Sequence, residues 1–232
     1  MNRRVVIHQP DFLPYLGFFD RLLDADLFVI LDCVQFVHGT RSWTNRDKIK
    51  TPQGEQWLTI SVRKCKRGTQ IREVELSQDV DWRANNLYLL HQNYHKASFY
   101  NEIHPYMENL YNYKGSLLME FNMNSIYMLC DLFNIKIEMV YASNLDCHGN
   151  KNELLVDILK KVKADCYLSG VGAKNYFDPV PFDKAGIQVV WQEFKHPVYP
   201  QLYDGFIPSL SSIDLLYNCG IKKSRDYLRS KL

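Results

Sequence analysis

Val5-Val6-Ile7-His8-Gln9-Pro10-Asp11, followed later by Leu27-Phe28-Val29-Ile30-Leu31-Asp32, decides the fold. Each stretch is a short apolar run that ends abruptly in polar residues, as a strand buried on both faces does. Between them Leu16-Gly17-Phe18-Phe19-Asp20-Arg21-Leu22-Leu23 carries apolar residues at helical spacing. Strand, helix and strand in that order predict a parallel pair joined by a crossover. Parallel sheets of this kind bind ligands beyond the carboxyl ends of their strands. The loops that leave the strands are therefore where chemistry is expected.

Working outward, strands are predicted over 56–62, 73–76, 135–140, 166–168 and 187–192. Two or three helices are predicted over 82–133. A further helix is expected over 152–164, with Asn152 as its N-cap, and two more near 211–218 and 224–230. The expectation is an α/β protein: a mainly parallel, Rossmann-like sheet flanked by helices. It is read as one domain over 1–232, with a helical insertion at roughly 82–133.

Composition narrows the function classes. Apolar residues are abundant and no run approaches the roughly 18 needed to span a bilayer, so no membrane association is expected. The short apolar run after Met1 does not resemble a secretory signal, and the location expected is the cytoplasm. Six scattered cysteines with no C-x-x-C pair predict free thiols rather than a disulfide or zinc framework. No cofactor motif and no metal site is expected: His91 and His95 lie four apart, but without a third ligand. Net charge is +2 for the whole chain, yet the stretch from Arg41 to Arg72 has nine basic residues against Asp47 and Glu55. That segment is a candidate phosphate-attracting rim.

Five constellations stand at predicted strand exits or in basic loops. His8-Gln9-Pro10-Asp11 follows the first strand, and His8 is the first candidate base. Asp32-Cys33-Val34-Gln35 follows the second, and a parallel neighbour places Asp32 near His8, where a carboxylate would orient the imidazole. Asn45, Arg46 and Lys48 lie in Ser42–Lys48, read as a loop suited to a diphosphate. Ser169-Gly170-Val171-Gly172 offers backbone N–H groups to an anion, though it is neither a Walker A loop nor a G-x-G-x-x-G fingerprint. Lys195-His196-Pro197-Val198-Tyr199-Pro200-Gln201 supplies a second candidate base, His196, with Tyr199 and Gln201 to position a sugar or carbonyl.

Taken together these stretches resemble the WbqC-like family of bacteria. The resemblance rests on His8-Gln9-Pro10 with Leu13–Phe19 (LPYLGFF, including Tyr15), Asp26–Val29, Asp32–Phe36, Asn45–Pro52, Gln56–Thr59, Tyr167–Gly170, His196–Gln201 and Ser211–Gly220. It implies a glycine transferase of surface-polysaccharide (O-antigen) biosynthesis that acylates a nucleotide-linked amino sugar. The donor it implies is an activated glycine such as glycyl-tRNA. Neither a membrane nor DNA is expected as a partner. Cys33 stands where family members often carry a second acid, so no paired-carboxylate role is expected there.

The residues leave two alternatives open. One is a nucleotidylyltransferase-like or acyl-adenylate-forming enzyme, to which the His-Pro exit is faintly similar; its HxGH motif is missing, with Tyr15-Leu16-Gly17-Phe18 in its place. The other is a non-enzymatic basic module that binds nucleic acid or a protein partner.

Overall fold

The computed structural model describes residues 3–39 and 42–230. Arg41, counted above in the basic segment, lies outside the described residues. Contacts divide the chain into two compact units, one of residues 1–9, 20–33 and 135–194, the other of 10–19, 34–134 and 195–232.

The first unit is built on a five-stranded sheet in the order β5-β2-β1-β6-β7. Its strands are β1 (Arg4–His8), β2 (Leu27–Ile30), β5 (Glu138–Tyr141), β6 (Cys166–Ser169) and β7 (Gln188–Trp191), and every pairing is parallel. The parallel sheet expected from the two opening stretches is thus present. β2 and β6 are buried along their whole length, which is why they read as unbroken apolar runs. Asp26 and Asp165 receive the free backbone N–H groups of Arg4 and Arg3 at 2.7 and 2.8 Å, satisfying the amino end of the central strand. Helix α5 (Lys151–Lys161) and the short α6 (Val180–Ala185) also belong to this unit. Phe182 of α6 stacks on Tyr167 of β6 with ring centroids 5.9 Å apart. The N-cap of α5 is Asn150 rather than Asn152, whose side chain donates to the Tyr176 carbonyl instead.

The second unit is mainly helical, with α2 (Trp82–Tyr94), α3 (Tyr100–Tyr111) and α4 (Leu118–Phe133), three helices where two or three were expected over 82–133. They are joined by α7 (Ile213–Arg229), which is broken at Gly220, where φ is 73° and ψ 170°. The break explains why its sequence reads as two helices. An antiparallel hairpin, β3 (Arg46–Thr51) and β4 (Gly54–Thr59), completes the unit. Two expectations fail here. Arg46 and Lys48 stand on a strand, not in a loop: alternate residues of β3 are buried, but the dense charge of RDKIK hides that alternation. The stretch 73–76 forms only isolated bridges, of Val62 with Leu76 and Glu75 with Leu117, beside a 3-10 turn at Ile71–Glu73. Helix α1 (Leu16–Leu23) spans the boundary, with its last turn in the first unit.

Candidate functional site

Strand order locates a crevice. From β1 the chain builds outward through β2 to β5, then returns to the other side of β1 for β6 and β7. The direction reverses between β1 and β6, the place where open parallel sheets leave room for a ligand at their carboxyl ends. β1 and β6 are paired only at Arg4 with Cys166 and Val5 with Tyr167. Continuing that register puts His8 level with Gly170, past the last paired residues.

His8 is partly buried, and its Nδ1 lies 3.0 Å from the Gln9 carbonyl oxygen. A carbonyl only accepts, so Nδ1 carries the proton and Nε2 is left with its lone pair. Burial, and secondarily the positive Arg21 guanidinium, lower the His8 pKa to about 3. The ring is therefore a neutral acceptor at physiological pH. Arg21, on the last turn of α1, is 4% exposed. Its Nη1 occupies the space a Cβ at position 170 would fill, so a side chain there would have to displace the guanidinium. The same guanidinium bears on the Tyr167 hydroxyl. Beside it on α1, Asp20 accepts from Gln192, the first residue after β7, at 2.6 Å.

Asp32 does not orient His8 through a hydrogen bond. Its two carboxylate oxygens accept from the Ser143 backbone N–H at 3.0 Å and the Ser143 hydroxyl at 2.6 Å, at the exit of β5. Asp32 thus ties neighbouring strand exits together. Ser169 is buried at the end of β6, and Gly172 lies in the 3-10 turn of Val171–Tyr176.

The remaining expected residues lie in the second unit. Asn45 donates to the Ile60 carbonyl at 3.1 Å, and Gln35 and Tyr15 form isolated backbone bridges with Gln70 and Ser211. Arg46 donates to the carbonyls of Gly39 and Ser42 and lies 4.1 Å from the Trp57 ring centroid, and Lys48 is ion-paired with Glu55 at 2.5 Å. Asp11 bears on Asp47, whose buried carboxyl is raised well above the ordinary range, chiefly by loss of water. His196 places Nδ1 2.9 Å from the Pro197 carbonyl oxygen, the same contact with the following residue that His8 makes, and burial lowers its pKa.

Tyr199 and Gln201 are committed to a buried carboxylate. Asp214 accepts from Tyr94 at 2.8 Å, Tyr199 at 2.9 Å and Gln201 at 2.9 Å. Lys50, also fully buried, caps the Tyr203 and Gly205 carbonyls. Asn122 joins the carbonyls of Pro10 and Thr44 at 2.7 and 2.6 Å, pinning the loop after His8-Gln9 within its unit.

Sequence reasoning missed Arg21, Ser143, Asn122 and Asp214. Arg21 left one sign: with Asp20 it stands among Phe18, Phe19, Leu22 and Leu23 in a mainly apolar helix, where a charge is costly without a purpose. Among the described residues no group of three or more His, Cys, Asp or Glu is placed to hold a metal ion. No helix there is long and apolar enough to cross a membrane.

The model of the WbqC-like protein family matches residues 9–226, nearly the whole chain. The chain belongs to the WbqC-like family. It is 32% identical over 230 residues to uncharacterized protein Rv1507c of Mycobacterium tuberculosis (strain ATCC 25618 / H37Rv), covering 98% of each chain. No solved structure matches. The family assignment agrees with the resemblance that His8-Gln9-Pro10 and the later stretches suggest.

Proposed function

We propose that the chain is an acyltransferase that joins an activated glycyl group to the amine of a nucleotide-linked amino sugar, as the family resemblance implies for surface-polysaccharide biosynthesis. The observation that carries the reading is the crevice between β1 and β6, where a neutral imidazole and a buried guanidinium meet beside a glycine. In the reaction the amine nitrogen attacks the glycyl carbonyl, the new N–C bond forms and the C–O bond to the carrier breaks. His8 Nε2 takes the amine proton and returns it to the departing oxygen. Its lowered pKa keeps the imidazole neutral, the form that can accept a proton. The oxyanion of the tetrahedral intermediate is held by Arg21 and the backbone at Gly170. The Gln9 carbonyl, rather than Asp32, holds the imidazole tautomer, and His196 remains the rival base.

Mass detection of the amide after incubation with a nucleotide-linked amino sugar and glycyl-tRNA, or a chemically activated glycine, tests the reading. His8→Gln is expected to abolish product while leaving the fold intact. No amide from any activated glycine would sink the proposal. A second reading, acyl-adenylate or nucleotidyl transfer, draws on the strand-order reversal, where doubly wound sheets hold nucleotides. Glycine-dependent release of pyrophosphate from ATP would favour it.

A further inference from the structure

The hairpin of the second unit has one face with no role in that crevice chemistry. Arg46 and Lys48 are two apart on β3, and Lys48 pairs directly with Trp57 of β4. All three side chains therefore share a face of the hairpin. The Trp43 ring joins them, 5.3 Å from Trp57, and stays 44% exposed. The Arg46 guanidinium lies 4.1 Å and the Lys48 ammonium 5.1 Å from the Trp57 centroid. Arg46 also donates to two backbone carbonyls, which position its guanidinium beside the ring.

A basic turn adjoins it. Lys64, Lys66 and Arg67 are exposed, and among the described residues no carboxylate lies within ion-pair distance of them. The connection is direct: His38 Nε2 lies 3.0 Å from Cys65 Sγ in that turn, and the next residue, Gly39, accepts from Arg46 at 2.7 Å. The exposed Trp43 indole and the cations of the turn are thus linked through hydrogen-bonded neighbours within the second unit.

The charge selects the occupant. On the hairpin face Arg46 can meet a ligand's phosphates, whereas Lys48 is already paired with Glu55. The turn adds three further cations, so the fitting ligand is longer and polyanionic. The exposed Trp43 indole adds a preference for flat bases that are free to stack, which a duplex hides. We propose that this surface docks a single-stranded RNA segment. It rests on the acyl-transfer reading for its purpose, since a tRNA-borne glycine arrives on an RNA with an unpaired segment.

Fluorescence anisotropy of the full chain with a labelled single-stranded RNA of about 12 nucleotides, without glycine, tests it. Trp43→Ala should weaken binding roughly 10-fold and Trp43→Phe should restore most of it, as base stacking requires. The triple variant Lys64→Gln, Lys66→Gln, Arg67→Gln should lower the slope of log affinity against log salt by about 2. Inorganic polyphosphate and duplex RNA should compete at least about 10-fold less well than the single strand. Equal binding of polyphosphate or duplex, or no change on Trp43→Ala, overturns the proposal. Amide formation from a small glycyl thioester, with no RNA binding, would overturn docking alone. RNA binding with no amide from any donor would overturn the transferase reading alone.

Discussion

The guanidinium of Arg21 fills the space that a side chain on Gly170 would need, at the end of β6. Arg21 is buried, so its guanidinium would have to move within packed surroundings. Gly170→Ala should therefore cost about 1–3 kcal/mol in a urea unfolding titration, as overpacking does. It should also raise the His8 pKa, by moving the charge that helps depress it, which NMR titration of the imidazole would record. An unchanged His8 titration would break the link between the two residues.

His8 should leave a mark on stability against pH. An unfolded imidazole titrates near 6.5, and the folded one at about 3. Between those values the unfolded chain holds more protons, so stability is lost as pH falls through that window and is fully present above it. The contribution is on the order of 5 kcal/mol at most. Asp47 and Asp214, both raised by burial, act in the opposite sense. The His8 share is therefore read as wild type minus His8→Gln, from urea midpoints at pH 7 and pH 4. The variant should lose less stability on acidification.

Asp214 is the acceptor for three buried or partly buried donors. Asp214→Ala should cost about 3–5 kcal/mol, since Tyr94, Tyr199 and Gln201 would lose their common partner. Asp214→Asn keeps one acceptor oxygen and should cost less. Thermal unfolding of both variants checks the order, and equal losses would show that the carboxylate's shape matters more than its acceptors.

Asn122 bridges the carbonyls of Pro10 and Thr44. Asn122→Leu, close in volume, should destabilise by about 1–3 kcal/mol through two unsatisfied carbonyls. Hydrogen exchange should rise at the Phe12 amide, which donates to the Trp43 carbonyl at 3.1 Å. Unaltered protection at Phe12 would mean the loop is held by other contacts.

Gly220 sits at a positive φ, and a Cβ there would run into the Phe99 ring. Gly220→Ala should cost more than about 1 kcal/mol, from backbone strain and overpacking together. Chemical denaturation measures it, and a neutral substitution would imply that the break in α7 can straighten.

The parallel sheet, the helices of 82–133 and the candidate crevice at His8 and Ser169-Gly170 were legible in the linear chain. Buried parallel strands must be apolar throughout, and their polar exits follow at once, so Val5–His8, Leu27–Asp32 and Cys166–Gly170 announce themselves locally. β3 did not, because Arg46, Lys48 and Lys50 mask its alternation with charge, and Lys50 is buried against carbonyls 153 and 155 residues away. The partners of Asp32 and Asp214 were equally hidden, since hydrogen bonds reaching 111 and 120 residues along the chain leave no spacing to read. The sequence by itself determined which strands form and where they end. Only the tertiary structure decided that Ser143 would take Asp32, and that Arg21 rather than a carboxylate would set the charge beside His8. Strand formation depends on near neighbours, whereas the field at a side chain depends on whatever packing brings beside it.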